Sequence, residues 1–339
     1  MLAITTAIVV TILWSLIDKK RKSYTRADFW LRHTLRFVLA IIIFSYGIQK
    51  LIPVQMPMPD TATLDAPVGY FPPGGLFWTL MGSNTFYQSF TGLVEVTVAL
   101  LFVFSRTYVI GLIVLTGTLV NILMLNIGFD IGATYVVLVL LTACVYLLFP
   151  YLKSIIYFLL NKQPIKLYEQ PKPDNRLYRT IFILSTALFI ASAFFNIRHS
   201  RSSYNRRVKN REDTKTFNVI TQTYNADTLK MTVGDKARWK YWIQYKRDKK
   251  KYLSILTMND TVSYDLLFQD DTMHRIIQLR PEEQLGDTTQ YTFFYKTGEN
   301  KSDKTLTDSL HKIKLVIKEF DKERWELLKS RNKFFPFDF

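Results

Sequence analysis

The chain has 339 residues, of which 48% are hydrophobic, and its net charge is +16. Residues 1–197 contain 15 Lys and Arg against 8 Asp and Glu, whereas residues 198–339 contain 29 against 20. This contrast predicts a membrane-embedded first part and a water-soluble second part, and it excludes a disordered chain, a fibrous protein and a soluble single-domain enzyme. A single cysteine, Cys144, excludes an internal disulfide and a Cys-rich zinc site.

Six apolar segments of the first part are predicted to be membrane-spanning helices. A hydrocarbon core about 30 Å thick requires about 20 apolar residues per helix. The first segment has neither the basic start nor the small-residue cleavage site of a signal peptide, so we expect it to be an anchor. The segments are Leu2–Ile17, Thr34–Met56, Ser89–Phe104, Thr107–Ile127, Ala133–Pro150 and Thr180–Ile197.

Basic residues predict how these helices are oriented. Residues 19–36 contain seven Lys and Arg and residues 153–179 contain six, whereas loops 57–88 and 128–132 contain none. Because cytoplasmic loops are enriched in Lys and Arg, the first two stretches are expected in the cytoplasm. The sixth segment then leads the second part of the chain out of the cytoplasm. The basic stretch 198–211 opposes this orientation, but the rule weakens ahead of a long translocated domain.

The outer loop 57–88 is rich in Pro and Gly. Such a composition stops both helix and sheet, so the sequence predicts an irregular segment. Because the loop is long for a connection between bundle helices, we expect it to cap the outer end of the bundle.

Two charged residues lie at the same predicted depth in the membrane. Lys50 lies six residues before the outer end of its helix, and Glu95 lies six residues after the start of the next one. At 1.5 Å per residue, both lie about 9 Å below the outer boundary. A lone charge in a membrane helix costs about 2.5–3.5 kcal/mol. We therefore expect Lys50 and Glu95 to form an ion pair, directly or through water.

Other polar residues are predicted near the same level. Together with Lys50 and Glu95 they form either an outward-facing polar pocket or a set of hydrogen bonds that only holds the helices together. Both interpretations stay open at this point. The additional residues of this intramembrane polar cluster are Tyr46, Gln49, Asn121, Asn126 and Asp130.

Residues 34–160 contain four short motifs: the run from Arg36 to Lys50, the run from Phe90 through Gly92 to Glu95, Phe104-Ser105-Arg106-Thr107, and the stretch from Asn121 through Asn126 to Asp130. Their order and spacing resemble the DoxX-like family of membrane proteins. The resemblance implies a four-helix bundle in a bacterial-type cell membrane, with Lys50 and Glu95 as family-like polar residues supported by Tyr46 and Asn121. Some family members are associated with thiol chemistry, but this chain lacks the cysteine pair of those members.

The second part of the chain has the period-two pattern of β-strands. Short connections with turn residues separate the strands, which predicts antiparallel neighbours and a closed up-and-down barrel. A helix is expected only at Asp321–Arg331, and the tail Phe334–Phe339 is expected to dock onto the barrel or the membrane. The predicted strands are Phe217–Tyr224, Ala237–Lys246, Tyr252–Met258, Val262–Gln269, Arg275–Arg280, Gln290–Lys296, Thr305–Ser309 and Lys312–Phe320.

The strand at Ala237–Lys246 alternates between apolar and polar side chains. This pattern predicts one buried face formed by Trp239, Tyr241, Ile243 and Tyr245. An eight-stranded barrel is filled by such side chains or encloses one small ligand, and both interpretations stay open. The sequential hairpins are similar to those of small lipocalin-like barrels, whereas aromatic side chains at period two are usually core residues.

The predicted fold is therefore an all-α membrane part, with a four-helix core and two flanking transmembrane helices, followed by an all-β antiparallel barrel-like soluble domain. The expected divisions are an anchor helix with a basic cytoplasmic segment at 1–33, the core at 34–160, a cytoplasmic loop and the last transmembrane helix at 161–197, a basic linker at 198–215 and the β domain at 216–339.

Two hypotheses on function remain. The first is a membrane-anchored binding or assembly module of a bacterial-type inner membrane, whose partners are the lipid bilayer, a lipid-soluble small molecule or another membrane protein. The second is a component of an oxidoreductase that uses a quinone or another lipid-soluble substrate, with the polar cluster moving protons. No metal-binding or nucleotide-binding motif favours an enzyme of another class. The basic turn Lys246–Lys251 is expected to be solvated or to face lipid rather than to bind nucleic acid.

Overall fold

The structure is a computed structural model. It describes residues 2–18, 23–161, 175–232, 235–247, 250–258, 262–281, 291–298, 303–310 and 312–320. The expected helix Asp321–Arg331 and the tail Phe334–Phe339 lie outside these ranges. The chain forms two compact units: a bundle unit of Met1–Ile48 and Gly92–Asn196, and a barrel unit of Gln49–Thr91 and Ile197–Phe339.

Eight α-helices and one short 3-10 helix, Val68–Tyr70, precede the strands in the described ranges. Five of them (α2, α5, α6, α7 and α8) are long and apolar enough to cross a membrane, which confirms a helical first part with several candidate membrane helices. Helix α1 falls outside these five because it has only 16 residues. The α-helices are α1 (Leu2–Ile17), α2 (Thr25–Leu51), α3 (Thr61–Asp65), α4 (Pro73–Ser83), α5 (Thr85–Val103), α6 (Tyr108–Gly128), α7 (Thr134–Asn161) and α8 (Asn175–Glu212).

The predicted basic linker and the predicted irregular outer loop both contain helices. The basic stretch 198–211 belongs to the C-terminal part of α8, which ends only at Glu212. The outer loop contains α3, the 3-10 helix and α4, so the expectation that its composition stops a helix is wrong. Pro73 is the first residue of α4, a position where its fixed φ suits the helix and its missing N–H has no intrahelical partner in any case.

Antiparallel pairing closes the strands into a barrel. Eight strands pair in chain order and β1 also pairs with β9, while the two-residue β2 extends β1 as a hairpin. This confirms the predicted antiparallel eight-stranded barrel, which leaves no free edge. The strands are β1 (Lys215–Tyr224), β2 (Asp227–Thr228), β3 (Trp239–Arg247), β4 (Lys250–Thr257), β5 (Val262–Asp271), β6 (Ile276–Pro281), β7 (Tyr291–Thr297), β8 (Asp303–Asp308) and β9 (Ile313–Glu319).

Large apolar side chains fill the inside of the barrel. Aromatic rings meet there edge to face: the ring centroids of Trp242 and Phe293 lie 6.0 Å apart, and those of Trp239 and Phe293 lie 6.4 Å apart. Such a packed interior is the filled form of an eight-stranded barrel. The buried core residues are Phe217, Val219, Trp239, Trp242, Leu253, Ile255, Leu266, Phe268, Ile277, Leu279, Phe293, Tyr295, Leu306, Leu315 and Ile317.

Candidate functional site

One face of α5 carries buried polar side chains. Glu95 is only 3% exposed, and Gln88, seven residues earlier on the same helix face, is fully buried. The described part of the chain offers no hydrogen-bond partner to either amide atom of Gln88. An unsatisfied buried amide costs about 1–3 kcal/mol. Sequence reasoning missed Gln88, although its spacing from Glu95 could have revealed it.

Within the bundle unit, α2 and α5 approach each other closely next to Glu95. A Cβ atom built on Gly47 would lie 2.8 Å from the Val96 nitrogen, 2.9 Å from the Gly92 oxygen and 3.0 Å from the Glu95 Cβ. Only glycine fits such a contact between two helix backbones. Lys50, which belongs to the barrel unit and is buried, follows three residues after Gly47 on the same face of α2.

The remaining members of the predicted polar cluster have different surroundings. Asn126 is buried, and no hydrogen-bond partner for its side-chain nitrogen exists among the described residues. Tyr46 is 37% exposed, and Asn121 is exposed on another face of α6. Asp130 is also exposed and has a φ of 50°, a left-handed conformation typical of a residue just after a helix. Gln49 is half-buried, and its backbone oxygen accepts bonds from the Val54 and Gln55 nitrogens where α2 ends.

The opposite end of the bundle unit contains a second polar group that the sequence analysis missed. Arg36 is buried and its guanidinium donates to the carbonyl oxygens of Phe102 and Val103, the latter at 2.8 Å. These carbonyls lie in the last turn of α5, where they have no partner within their own helix, so a cation is favourable there. Arg32 binds Asp28 at 2.8 Å on the same helix. Arg36 thus stabilises the C-terminal end of α5, and the Asp28–Arg32 pair stabilises α2.

In the barrel unit, a β-bulge divides the four side chains that were predicted to share a face. The pairing of β3 with β4 shifts between Trp239 and Tyr241. Trp239 therefore lies in the barrel core, whereas Tyr241 and Ile243 pack in a separate cluster with Leu256 and Phe320. The prediction of a single buried face is wrong, because one extra residue in a strand reverses which side of the sheet the following side chains occupy.

Tyr245, the last of the four predicted residues, lies outside the barrel core cluster. Tyr245 pairs with Tyr252 across the two strands, and their rings stack with centroids 5.6 Å apart. Neither belongs to the barrel core cluster, whereas Trp242 does. After the bulge, the core-facing position on β3 is therefore Trp242 rather than the predicted odd-numbered residues.

Arg238 and Gln222 hold this bulge against a second one in β1. Arg238 is 1% exposed, and its guanidinium donates to the carbonyl oxygens of Val219 and Ile220 at 3.0 Å each, beside the register shift in β1. The Gln222 side-chain oxygen accepts from Arg238 at 3.3 Å and from the Trp239 nitrogen at 2.7 Å. Burial lowers the pKa of the Arg238 guanidinium. These bonds satisfy backbone groups that the bulges remove from the ladder.

The outer loop is bonded to the barrel within the barrel unit. Asp60 caps α3 by accepting from the Thr63 nitrogen at 2.8 Å, and Asp65 lies at the other end of this short helix. The Asp65 carboxylate binds the Lys240 ammonium at 3.1 Å and accepts a hydrogen bond from the Tyr241 hydroxyl. The bulge in β3 thus brings two successive side chains to one carboxylate of the loop.

Comparison with known proteins gives one match. The chain is 31% identical over 115 residues to the uncharacterized protein YwoB of Bacillus subtilis (strain 168), and the match spans 34% of the chain and 73% of that protein. The chain belongs to the YwoB family. No family model and no solved structure match it, so the DoxX-like resemblance stays a prediction.

Proposed function

We propose that the chain is a membrane-anchored binding or assembly module that holds its barrel at the non-cytoplasmic surface of a bacterial-type inner membrane. The main support for this proposal is that the Asp65 side chain in the outer loop bonds to Lys240 and Tyr241 in the barrel. Bonds to a loop between two membrane helices restrict the barrel to the membrane surface. A barrel joined only through a flexible linker would not be restricted in this way. The packed barrel core favours binding on the outer surface of the barrel over enclosure of a ligand.

Two further observations support the orientation. If α2 runs out of the cytoplasm, α6 and α8 also run outward, because successive spans alternate in direction. The chain after α8 then lies on the same side of the membrane as the outer loop. In the barrel unit, Arg207 near the end of α8 donates to the carbonyl oxygen of Val54, just after α2. Both support a barrel on the side of the charge-poor loop, away from the basic cytoplasmic stretches.

The orientation is tested by fusions after Phe339. Alkaline phosphatase should be active at this position, because it folds only outside the cytoplasm. A fluorescent protein that folds only in the cytoplasm should stay dark. The reverse pattern would refute the proposed side of the barrel.

The proposal also includes a DoxX-like core at 34–160 with a polar pocket at its outer end. The burial of Glu95 on α5 supports such a pocket, as does the close approach of Gly47 to α5 within the bundle unit. The same burial favours the alternative, a component of an oxidoreductase for a quinone or another lipid-soluble substrate, because buried ionisable groups in membrane helices often form proton relays.

A crosslinking experiment with a lipid analysis separates the two functions. Phe294 on β7 is exposed, whereas its neighbour Phe293 is fully buried in the barrel core. A photo-crosslinking residue at Phe294 should form adducts in native membranes, and the same residue at Phe293 should not. A quinone that copurifies with the protein and is lost in Glu95→Gln, without adducts at Phe294, would instead establish the oxidoreductase.

A further inference from the structure

A cleft of about 300 Å³ lies at the end of the bundle unit where α2 and α8 begin. One wall is the first three turns of α8, which contribute Tyr178, Arg179, Phe182 and Ile183. The other wall is the turn between α5 and α6, which contributes Ser105. The cleft is separate from the polar cluster, which lies towards the other end of α2.

Aromatic contacts with α2 hold the α8 wall in place. The ring centroid of His33 lies 6.1 Å from that of Tyr178, and the Phe37 ring lies 5.9 Å from Phe182 with an interplanar angle of 79°. The His33 Nε2 atom is also within hydrogen-bond distance of the Ser185 Oγ atom, at 3.2 Å. The wall is therefore preformed, which reduces the entropy lost when a ligand binds.

The other wall exposes a hydroxyl group whose position is fixed by a buried cation. The Ser105 Oγ atom accepts a hydrogen bond from Arg36 at 3.2 Å. Because this bond occupies a lone pair of the oxygen, the Ser105 hydrogen can be donated to a ligand in the cleft. The remaining Arg36 bonds also go to neutral acceptors, the Phe102 and Val103 carbonyls.

Among the described residues, the charges around the cleft are unbalanced in favour of cations. The described ranges give neither Arg36 nor Arg179 a carboxylate partner, and Asp28 on the first turns of α2 is bound to Arg32. Arg179 is exposed at the mouth of the cleft. An anion in the cleft would gain the attraction of both guanidinium groups, and a guanidinium matches a phosphate with two parallel hydrogen bonds.

The apolar part of the cleft decides which kind of phosphate fits. Phe182 and Ile183 follow Arg179 by three and four residues, so they lie about 5–6 Å further along α8 towards the hydrocarbon. Ile183 is 65% exposed, which leaves an apolar surface beside the cationic one. We propose that the cleft binds an anionic phospholipid, with its phosphate at Arg179 and Ser105 and an acyl chain along Phe182 and Ile183. Basic pockets between membrane helices bind lipid head groups by this combination.

Native mass spectrometry of the purified full-length protein in detergent tests the proposal. Phosphatidylglycerol should bind more tightly than phosphatidylcholine, because the head group of the latter carries a compensating cation. Arg179→Gln should weaken phosphatidylglycerol binding about fivefold, the factor expected for one basic residue near a lipid phosphate. Arg26→Gln is the matched control, since Arg26 is an exposed arginine of α2 at the same end of the bundle unit and does not line the cleft.

Three results would overturn the proposal. Equal losses in Arg179→Gln and Arg26→Gln would indicate a diffuse attraction without a site. Displacement of the lipid by an equal concentration of inorganic phosphate would indicate a site for a free anion. The Arg179→Lys variant, which retains the charge, guards against misfolding of Arg179→Gln. It should retain the preference for phosphatidylglycerol, and loss of the preference in both variants would also refute the role of the charge.

Discussion

Substitution of Gly47 by alanine tests the closest contact in the bundle unit. Alanine favours a helix over glycine by about 0.8–1.0 kcal/mol, so helix propensity alone predicts a more stable protein. The new methyl group would, however, lie 2.8 Å from the Val96 nitrogen and 2.9 Å from the Gly92 oxygen. These are backbone atoms of α5, which cannot rotate away as a side chain can. Overpacking of this kind typically costs about 1–3 kcal/mol.

The two contributions predict a net destabilisation of up to about 2 kcal/mol for Gly47→Ala, where helix propensity alone predicts a gain. Gly117 provides the matched control, because it lies within α6 and a Cβ atom there would meet no atom within 4 Å. Gly117→Ala should therefore be as stable as the original protein, or more stable by up to about 1 kcal/mol. Thermal unfolding of both variants in the same detergent measures the difference.

The comparison of the two variants tests whether α2 and α5 approach each other closely at Gly47. A Gly47→Ala protein at least as stable as Gly117→Ala would mean that α2 and α5 do not approach each other at this level. The close packing beside Glu95 would then be wrong. A destabilised Gly47→Ala beside an unchanged Gly117→Ala would confirm it.

Three further predictions concern the polar pair and the barrel. Glu95→Gln alone should be less stable in detergent than Lys50→Met with Glu95→Gln, because a single substitution leaves an uncompensated buried charge that costs about 3–5 kcal/mol; additive effects in the double-mutant cycle would show that the two residues do not interact. Residues 212–339 alone should give a β-type circular dichroism spectrum and elute as a monomer, since a domain of this size can bury a sufficient core, and a helical spectrum would contradict the barrel. In this fragment, Gln222→Leu should lower the free energy of unfolding by about 1–3 kcal/mol in urea, because it leaves the buried Arg238 guanidinium and a backbone N–H short of an acceptor. An unchanged midpoint would indicate that these bonds do not stabilise the bulges.

Local patterns in the chain were sufficient to predict the two kinds of secondary structure. Apolar length predicts the helices of the first part, since a membrane helix must bury a whole segment in hydrocarbon. The period-two pattern predicts eight strands, and short connections between them predict antiparallel neighbours. The start of α4 at Pro73 was missed even though it follows a local rule, that proline is favoured in the first turn of a helix.

Which residues meet in the candidate sites depends on contacts between parts of the chain that are distant in sequence. Only the tertiary structure decided these contacts. The register of β3 against β4 shifts at Lys240, which places Trp242 in the core and turns Tyr241 outward. Sequence alternation cannot reveal this shift, because a bulge is a property of two paired strands. The same reason explains why Asp65 was not identified as the carboxylate that binds Lys240, 175 residues later in the chain. Apolar length and alternation are encoded residue by residue, whereas strand register and helix approach exist only after the chain has folded.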